Sequence, residues 1–103
     1  MNLLKSKITN NEYGAIIYGS LTSATFKNCI FHDNNEDGIC ASGSTMHLHG
    51  ETTAMHSNRR HGIWAHRSGK VFIHLPSNHI TSYNNGSEDR HIWKGGTITN
   101  VED

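Results

Sequence analysis

Apolar and polar residues alternate along this chain in short runs, and each run ends at a cluster of small polar residues. In "STMHLHG" (44–50), Met46 and Leu48 alternate with His47 and His49. In "KVFIHLP" (70–76), Val71, Ile73 and Leu75 alternate with Phe72 and His74. "GICAS" and "GIWAH" place Ile39 and Ala41, then Ile63 and Ala65, on one parity. Successive side chains of a strand point to opposite faces, so this period of two predicts strands. Glycine, serine and asparagine clusters between the runs predict turns. No stretch of about ten residues carries apolar positions at i, i+3, i+4 and i+7, so little helix is expected.

The runs recur. At a spacing of 24 the chain aligns Gly14, Gly38 and Gly62; Ser20, Ser44 and Ser68; and Asn10, Asn34 and Asn58. A fourth unit, "YNNGSEDRHIW" (83–93), resembles "SNRRHGIW" (57–64) with about three residues inserted. Strands returning at a fixed period describe the coils of a solenoid, each strand pairing in parallel with its counterpart about 4.8 Å above and below. About four coils fit into the 103 residues, giving a single domain over 1–103 and a stub on the order of 20 Å long.

Each unit runs through an apolar strand ("NCIF"), an Asn, a short polar loop, "GI", small residues and "GS". In this it resembles the right-handed parallel β-helix repeat of the pectate-lyase-like superfamily, from about Leu4 to Val101. The resemblance implies an all-β, right-handed parallel β-helix, as a short relative or an excerpt of a longer solenoid. For activity it implies a choice, because the superfamily includes polysaccharide lyases, hydrolases, epimerases, tailspikes and adhesins, and fold alone assigns none of them. It also implies that the Asn column is a ladder of stacked amides, each donating to the next. Asn10 (or Asn11), Asn34, Asn58 and Asn84 are its expected members. The recurring glycines are expected to supply a positive φ ahead of the next strand.

Composition narrows the function classes. The formal net charge is zero, with 34% hydrophobic and 17% charged residues. That balance gives no global argument for nucleic acid or a charged membrane surface. No apolar run approaches the roughly 18 residues of a spanning helix, and the opening "MNLLKSKITNN" has no signal-peptide pattern. Localisation is therefore left open, with an extracellular or cell-surface setting compatible with a longer parent chain. Cys29 and Cys40 form neither a CxxC pair nor a disulfide framework and are expected as small core residues.

Nine residues are histidine, so the chain carries a reserve of positive charge that appears below about pH 6.5. His47, His49 and His74 are weak metal candidates, brought together if Leu48 stacks under Ile73. No further ligand completes a first shell, and no metal or cofactor is expected.

If Ile39, Ile63 and Ile92 point inward, Trp64 and Trp93 point outward, with Tyr18 and His66 on the same face. Ile16, Cys40, Trp64 and Trp93 are expected to form one external column. Flat exposed aromatics suit stacking on sugars, although two tryptophans can equally stack on one another or lie under a loop. Arg59, Arg60 and His61 share one turn, Arg67 follows the next strand, and Arg90 and His91 return near the matching turn of the following coil. Beside the tryptophans they would form a positive edge suited to carboxylates or sulfates; the plainer alternative is solvated turns.

Catalysis is not expected from this chain alone. The paired acids Glu36–Asp37 and Glu88–Asp89 read as turn residues. The superfamily's stronger signatures, an aspartate pair with a downstream Gly-His-Gly or an Asp-Pro-His-Asp, are missing. The sequence thus points to a non-catalytic module binding polysaccharide, an anionic one if the arginines take part. The alternatives are a fragment of a lyase, hydrolase or epimerase, or a structural, adhesin-like segment. Open solenoid ends also point to end-to-end or homo-oligomeric stacking, which the acids Glu102 and Asp103 would discourage at one end.

Overall fold

The computed structural model describes residues 2–4, 6–76, 79 and 81–101, so Glu102 and Asp103 lie outside the described residues. In chain order the strands are β1 (Asn2–Leu4), β2 (Lys7–Ile8), β3 (Ala15–Tyr18), β4 (Ser23–Lys27) and β5 (Ile30–His32). They continue with β6 (Ile39–Ser42), β7 (Thr45–His49), β8 (Ala54–His56), β9 (Ile63–His66) and β10 (Lys70–Ile73). The last are β11 (Ser82–Tyr83), β12 (Arg90–Trp93) and β13 (Thr97–Asn100). Every third strand pairs in parallel, giving three sheets: β1-β4-β7-β10-β13, β2-β5-β8-β11 and β3-β6-β9-β12. This is a parallel β-solenoid of about four coils, with no helix among the described residues.

The core lies inside the coil, where the alternation places it. Phe26, Phe31, Ile39, Met46, Leu48, Met55, Ile63, Val71 and Ile73 are fully buried. Phe26 and Phe31, from two different walls, meet edge-to-face with ring centroids 5.1 Å apart. Cys29 and Cys40 are buried, the Cys29 thiol donating to the Lys27 carbonyl oxygen, and burial pushes the Cys40 thiol pKa up to about 12, with the Asp37 charge adding to the shift. That thiol is therefore inert as a nucleophile at neutral pH.

Register holds at 24 on the third sheet, where Ile39 pairs Ala15 and Ile63, and lengthens to 27 at the last coil, where Arg90 pairs Ile63. One added residue lies between β9 and β10, where the spacing becomes 25, and two lie between β10 and β11, where it becomes 27. The serine alignment does not survive as a spatial column: Lys70 pairs Thr45, which sets Ser44 beside Gly69 and not Ser68.

Two sequence expectations are corrected in the turn before the third sheet. Asn34 Nδ2 donates to Asn58 Oδ1 at 2.9 Å, and Asn58 Nδ2 donates to Asn85 Oδ1 at 3.0 Å. The backbone N–H groups of Asn11, Asn34 and Asn58 donate to the Oδ1 of Asn34, Asn58 and Asn85 respectively. The residues in register are thus Asn11 and Asn85, and Asn10 and Asn84 do another job. Asn10, Asp33, Ser57 and Asn84 all adopt left-handed backbone, with φ between 54° and 61°. Asn and Asp tolerate that conformation best, so the turn uses one residue to bend and the next to bond.

The second correction concerns the glycines. Gly14, Gly38 and Gly62 are not among the positive-φ residues. They are required by close approach between coils: a Cβ on Gly38 would stand 2.6 Å from the Gly62 carbonyl oxygen and 2.7 Å from Asn58 Nδ2. The positive-φ glycines are Gly19, Gly43, Gly50 and Gly95, of which Gly19 and Gly43 directly follow third-sheet strands. At the equivalent place in the next two coils stand Arg67 (φ 52°) and Lys94 (φ 46°).

Candidate functional site

The third sheet and the turn leading into it carry most of the candidate residues. Its inward positions belong to Ile39, Ala41, Ile63 and Ala65, so the alternate residues face out. Two outward columns result. One is Ile16, Cys40, Trp64 and His91; the other is Tyr18, Ser42, His66 and Trp93. Trp93 is therefore in register with His66 and does not follow Trp64 in a single column. The text match of "HGIW" to "RHIW" misplaces it by two residues, because Arg90, and not Ile92, succeeds Ile63.

The two tryptophans differ in environment. Trp93 is 51% exposed and Tyr18 63% exposed. The Lys94 ammonium sits over the Trp93 ring, 4.6 Å from its centroid. Trp64 is half-buried: His66 stacks on it at 4.4 Å, His61 tilts against it at 5.7 Å, and the Arg60 guanidinium lies 6.0 Å above the ring. Trp64 Nε1 and His66 Nδ1 are buried without a hydrogen-bond partner. Burial and the nearby Arg67 charge lower the His66 pKa, so this histidine resists protonation.

The arginines do not form one positive edge. Arg60 pairs with Glu36 at 3.3 Å. Arg90 occupies the inward parity above Ile63 and donates to Asn100 Oδ1 at 2.9 Å. Since Asn100 follows Ile73 in register, that bond lies across the last coil, not on the outer face. Arg59 and Arg67 are exposed. Lys94, absent from the sequence reading, is the cation that joins Arg67, one coil on at the same left-handed turn position.

His61 is not part of an exposed edge. It is buried, and both its backbone N–H and its Nδ1 donate to Asp37 Oδ1, at 3.0 and 2.9 Å. Because a carboxylate only accepts, the proton on that side of the ring belongs to Nδ1, and Nε2 keeps its lone pair. His91 lies parallel to His61 with centroids 4.6 Å apart, and its Nδ1 donates to Glu88 Oε1 at 3.0 Å. One ligand-capable atom from each of His61, Glu88 and His91 lies within 4.8 Å of the other two.

Asp37 and Glu88 read as solvated turn acids in the sequence. Their signal was the column just before the glycines, where Tyr13, Asp37, His61 and Glu88 follow one another: the N–H groups of Gly14, Gly38 and Gly62 donate to the carbonyls of Asp37, His61 and Glu88. Asp37 is buried and carries the contact with His61, whereas Glu88 is exposed.

The other two sheets carry outward histidines as well. His32, His56 and Tyr83 stack face to face at 5.1 Å intervals on the second sheet. On the first, His74 stacks on His49 at 4.1 Å, and His74 Nε2 lies 2.9 Å from His47 Nδ1. The weak metal candidates of the sequence are thus neighbours, but the short contact between two of their nitrogens is a hydrogen bond with one ring donating.

Residues 1–91 match the family model described as the right-handed beta helix region. No curated protein and no solved structure matches the chain. Three parallel sheets wound with a 24-residue register, inward apolar columns and that match together place the chain in the right-handed β-helix family.

Proposed function

We propose that this β-helix is a polysaccharide-binding module, and that the outer face of its third sheet takes an anionic glycan along the stacking axis. The observation that carries this reading is the column Tyr18–Ser42–His66–Trp93, with an exposed aromatic ring at each end. The ends are three coil steps apart, about 14 Å, a span suited to several successive sugars. Indole and phenol faces stack on the apolar faces of pyranose rings. Between them the half-buried His66 supplies the polar ring of the column.

The charge preference comes from Arg67 and Lys94. Both hold a left-handed backbone at a place where the first two coils use glycine. Such a conformation in a non-glycine residue costs about 1–2 kcal/mol, and at that place it sets two cations beside the aromatic column. A uronate or sulfate group on the glycan would meet them. The module needs no catalysis of its own.

The test is affinity electrophoresis against uronate-rich and neutral polysaccharides. Retardation by the uronate-rich gels, relieved by Trp93→Ala and by Tyr18→Ala, supports the reading. Equal mobility of the original chain in every gel, or retardation unchanged by both substitutions, contradicts it. Trp64→Ala is a poorer test, since that ring packs against His61 and His66.

A further inference from the structure

We infer that His61, Glu88 and His91 form a binding site for a divalent transition metal of the zinc type. The site is independent of the glycan reading, since it lies in the turn and at the first column of the sheet and uses none of Tyr18, Arg67, Trp93 or Lys94. Its parts come from two successive coils: His61 and Glu88 hold equivalent places ahead of the third sheet, and His91 stands on β12 over Trp64.

Three features make this cluster a site. First, one donor atom from each residue lies within 4.8 Å of the other two. Tetrahedral coordination with bonds of roughly 2.0–2.2 Å sets ligand atoms about 3.4 Å apart. Rotation of the exposed Glu88 and the half-exposed His91 closes that difference with no movement of the buried His61. Second, His61 is held by a buried carboxylate behind it. Asp37 Oδ1 accepts from Nδ1 and from the backbone N–H, which fixes the ring and directs the Nε2 lone pair away from Asp37. A carboxylate behind a ligating histidine is the arrangement that orients imidazoles on zinc. Third, the donor set is two imidazoles and one carboxylate, which suits zinc, cobalt and nickel and leaves a fourth position open. Arg60, next to His61 in the chain, is paired with Glu36.

The His47–His49–His74 group is the competing location. There His47 Nδ1 and His74 Nε2 share a hydrogen bond, as His91 Nδ1 and Glu88 Oε1 do here, so the distinguishing feature is the buried carboxylate of Asp37 behind His61, which has no counterpart behind His47 or His74 among the described residues. The test separates the two. The full chain, stripped with a chelator, is titrated with Co²⁺ followed by its visible absorption, and with Zn²⁺ followed by calorimetry. One equivalent of each metal should bind, with a cobalt spectrum of tetrahedral or five-coordinate intensity. His91→Ala should weaken Zn²⁺ binding by at least about 100-fold and abolish the cobalt band. Glu88→Gln, which preserves size and leaves the core untouched, should also weaken binding, while His74→Ala leaves it unchanged. The inference is overturned if no saturable binding occurs, if binding survives both His91→Ala and Glu88→Gln, or if His74→Ala removes it.

Discussion

Asp37 Oδ1 accepts two hydrogen bonds from one residue, His61, through its backbone N–H and its ring Nδ1, and both residues are buried. The pair links two coils at the turn where the sequence varies most. Removing either member leaves a different residue stranded. His61→Ala leaves a buried carboxylate with one backbone donor and should cost about 3–5 kcal/mol. Asp37→Ala leaves the two donors of His61 without an acceptor and should cost about 2–3 kcal/mol. Urea unfolding of both variants checks the order; equal losses would show that the carboxylate does not depend on the ring.

The amide column makes a comparable prediction with a built-in control. Asn58 Nδ2 donates to Phe31 O and Asn85 Oδ1, and its own Oδ1 accepts from Asn34. Asn58→Ala should therefore cost about 2–3 kcal/mol by stranding buried partners. Asn84→Gly, at a left-handed position with φ 54°, should be neutral or slightly stabilising. Thermal unfolding of the two variants distinguishes the bonding residue from the bending one.

Glycine substitutions should sort by the same logic. Gly38→Ala drives a Cβ to 2.6 Å from a backbone oxygen of the next coil and should cost about 2–3 kcal/mol. Gly43→Ala meets nothing closer than 3.5 Å and carries only the strain of φ 69°, about 1 kcal/mol. A larger loss at Gly43 than at Gly38 in denaturant titrations would refute the close-approach explanation.

Acid should weaken the fold through its stacked histidines. Burial lowers the pKa of His56, as does neighbouring His32, while Asp33 opposes the shift. Burial and His74 lower that of His47. A histidine whose folded pKa lies below its unfolded value of about 6.5 binds more protons when unfolded. The contribution is complete above pH 6.5 and is lost as pH falls through the folded values. Melting temperature should thus drop between pH 7.5 and pH 5. His56→Phe, which keeps the stack on His32 and Tyr83, should flatten that drop; an unchanged pH slope would exclude His56 as a source.

Arg67→Gly separates stability from binding. Glycine relieves the left-handed strain at φ 52°, so stability should rise by up to about 1 kcal/mol. Affinity for an anionic glycan should fall in the same variant. Calorimetric unfolding and glycan retention measured together test this, and a variant that binds as before would remove Arg67 from the surface.

Strand parity was legible in the sequence because a period of two leaves no freedom: Met46, Leu48, Val71 and Ile73 point in, and His47, His49 and Phe72 alternate with them. The turn was legible only to within one residue. Asn10–Asn11 and Asn84–Asn85 each offer two identical side chains, and the choice between them is made by backbone φ. A fixed spacing of 24 from Asn58 and Asn34 leads to Asn10, but the first coil pairs at a spacing of 23, which brings Asn11 into the column. The placement of Trp93 failed because inserted residues shift the register before β12 without changing its parity. The contact of Asp37 with His61 was legible only as a position, the column just before the glycines, since that column changes residue type at every coil.

The central claim, a glycan lying along the Tyr18–Trp93 column, is tested most directly by calorimetric titration with uronate oligosaccharides of increasing length. Affinity should climb until the oligosaccharide spans about 14 Å and then level off, with Trp93→Ala losing about tenfold on the long ligands and little on the shortest. An affinity independent of length, or equal for Trp93→Ala and the original chain at every length, would contradict it.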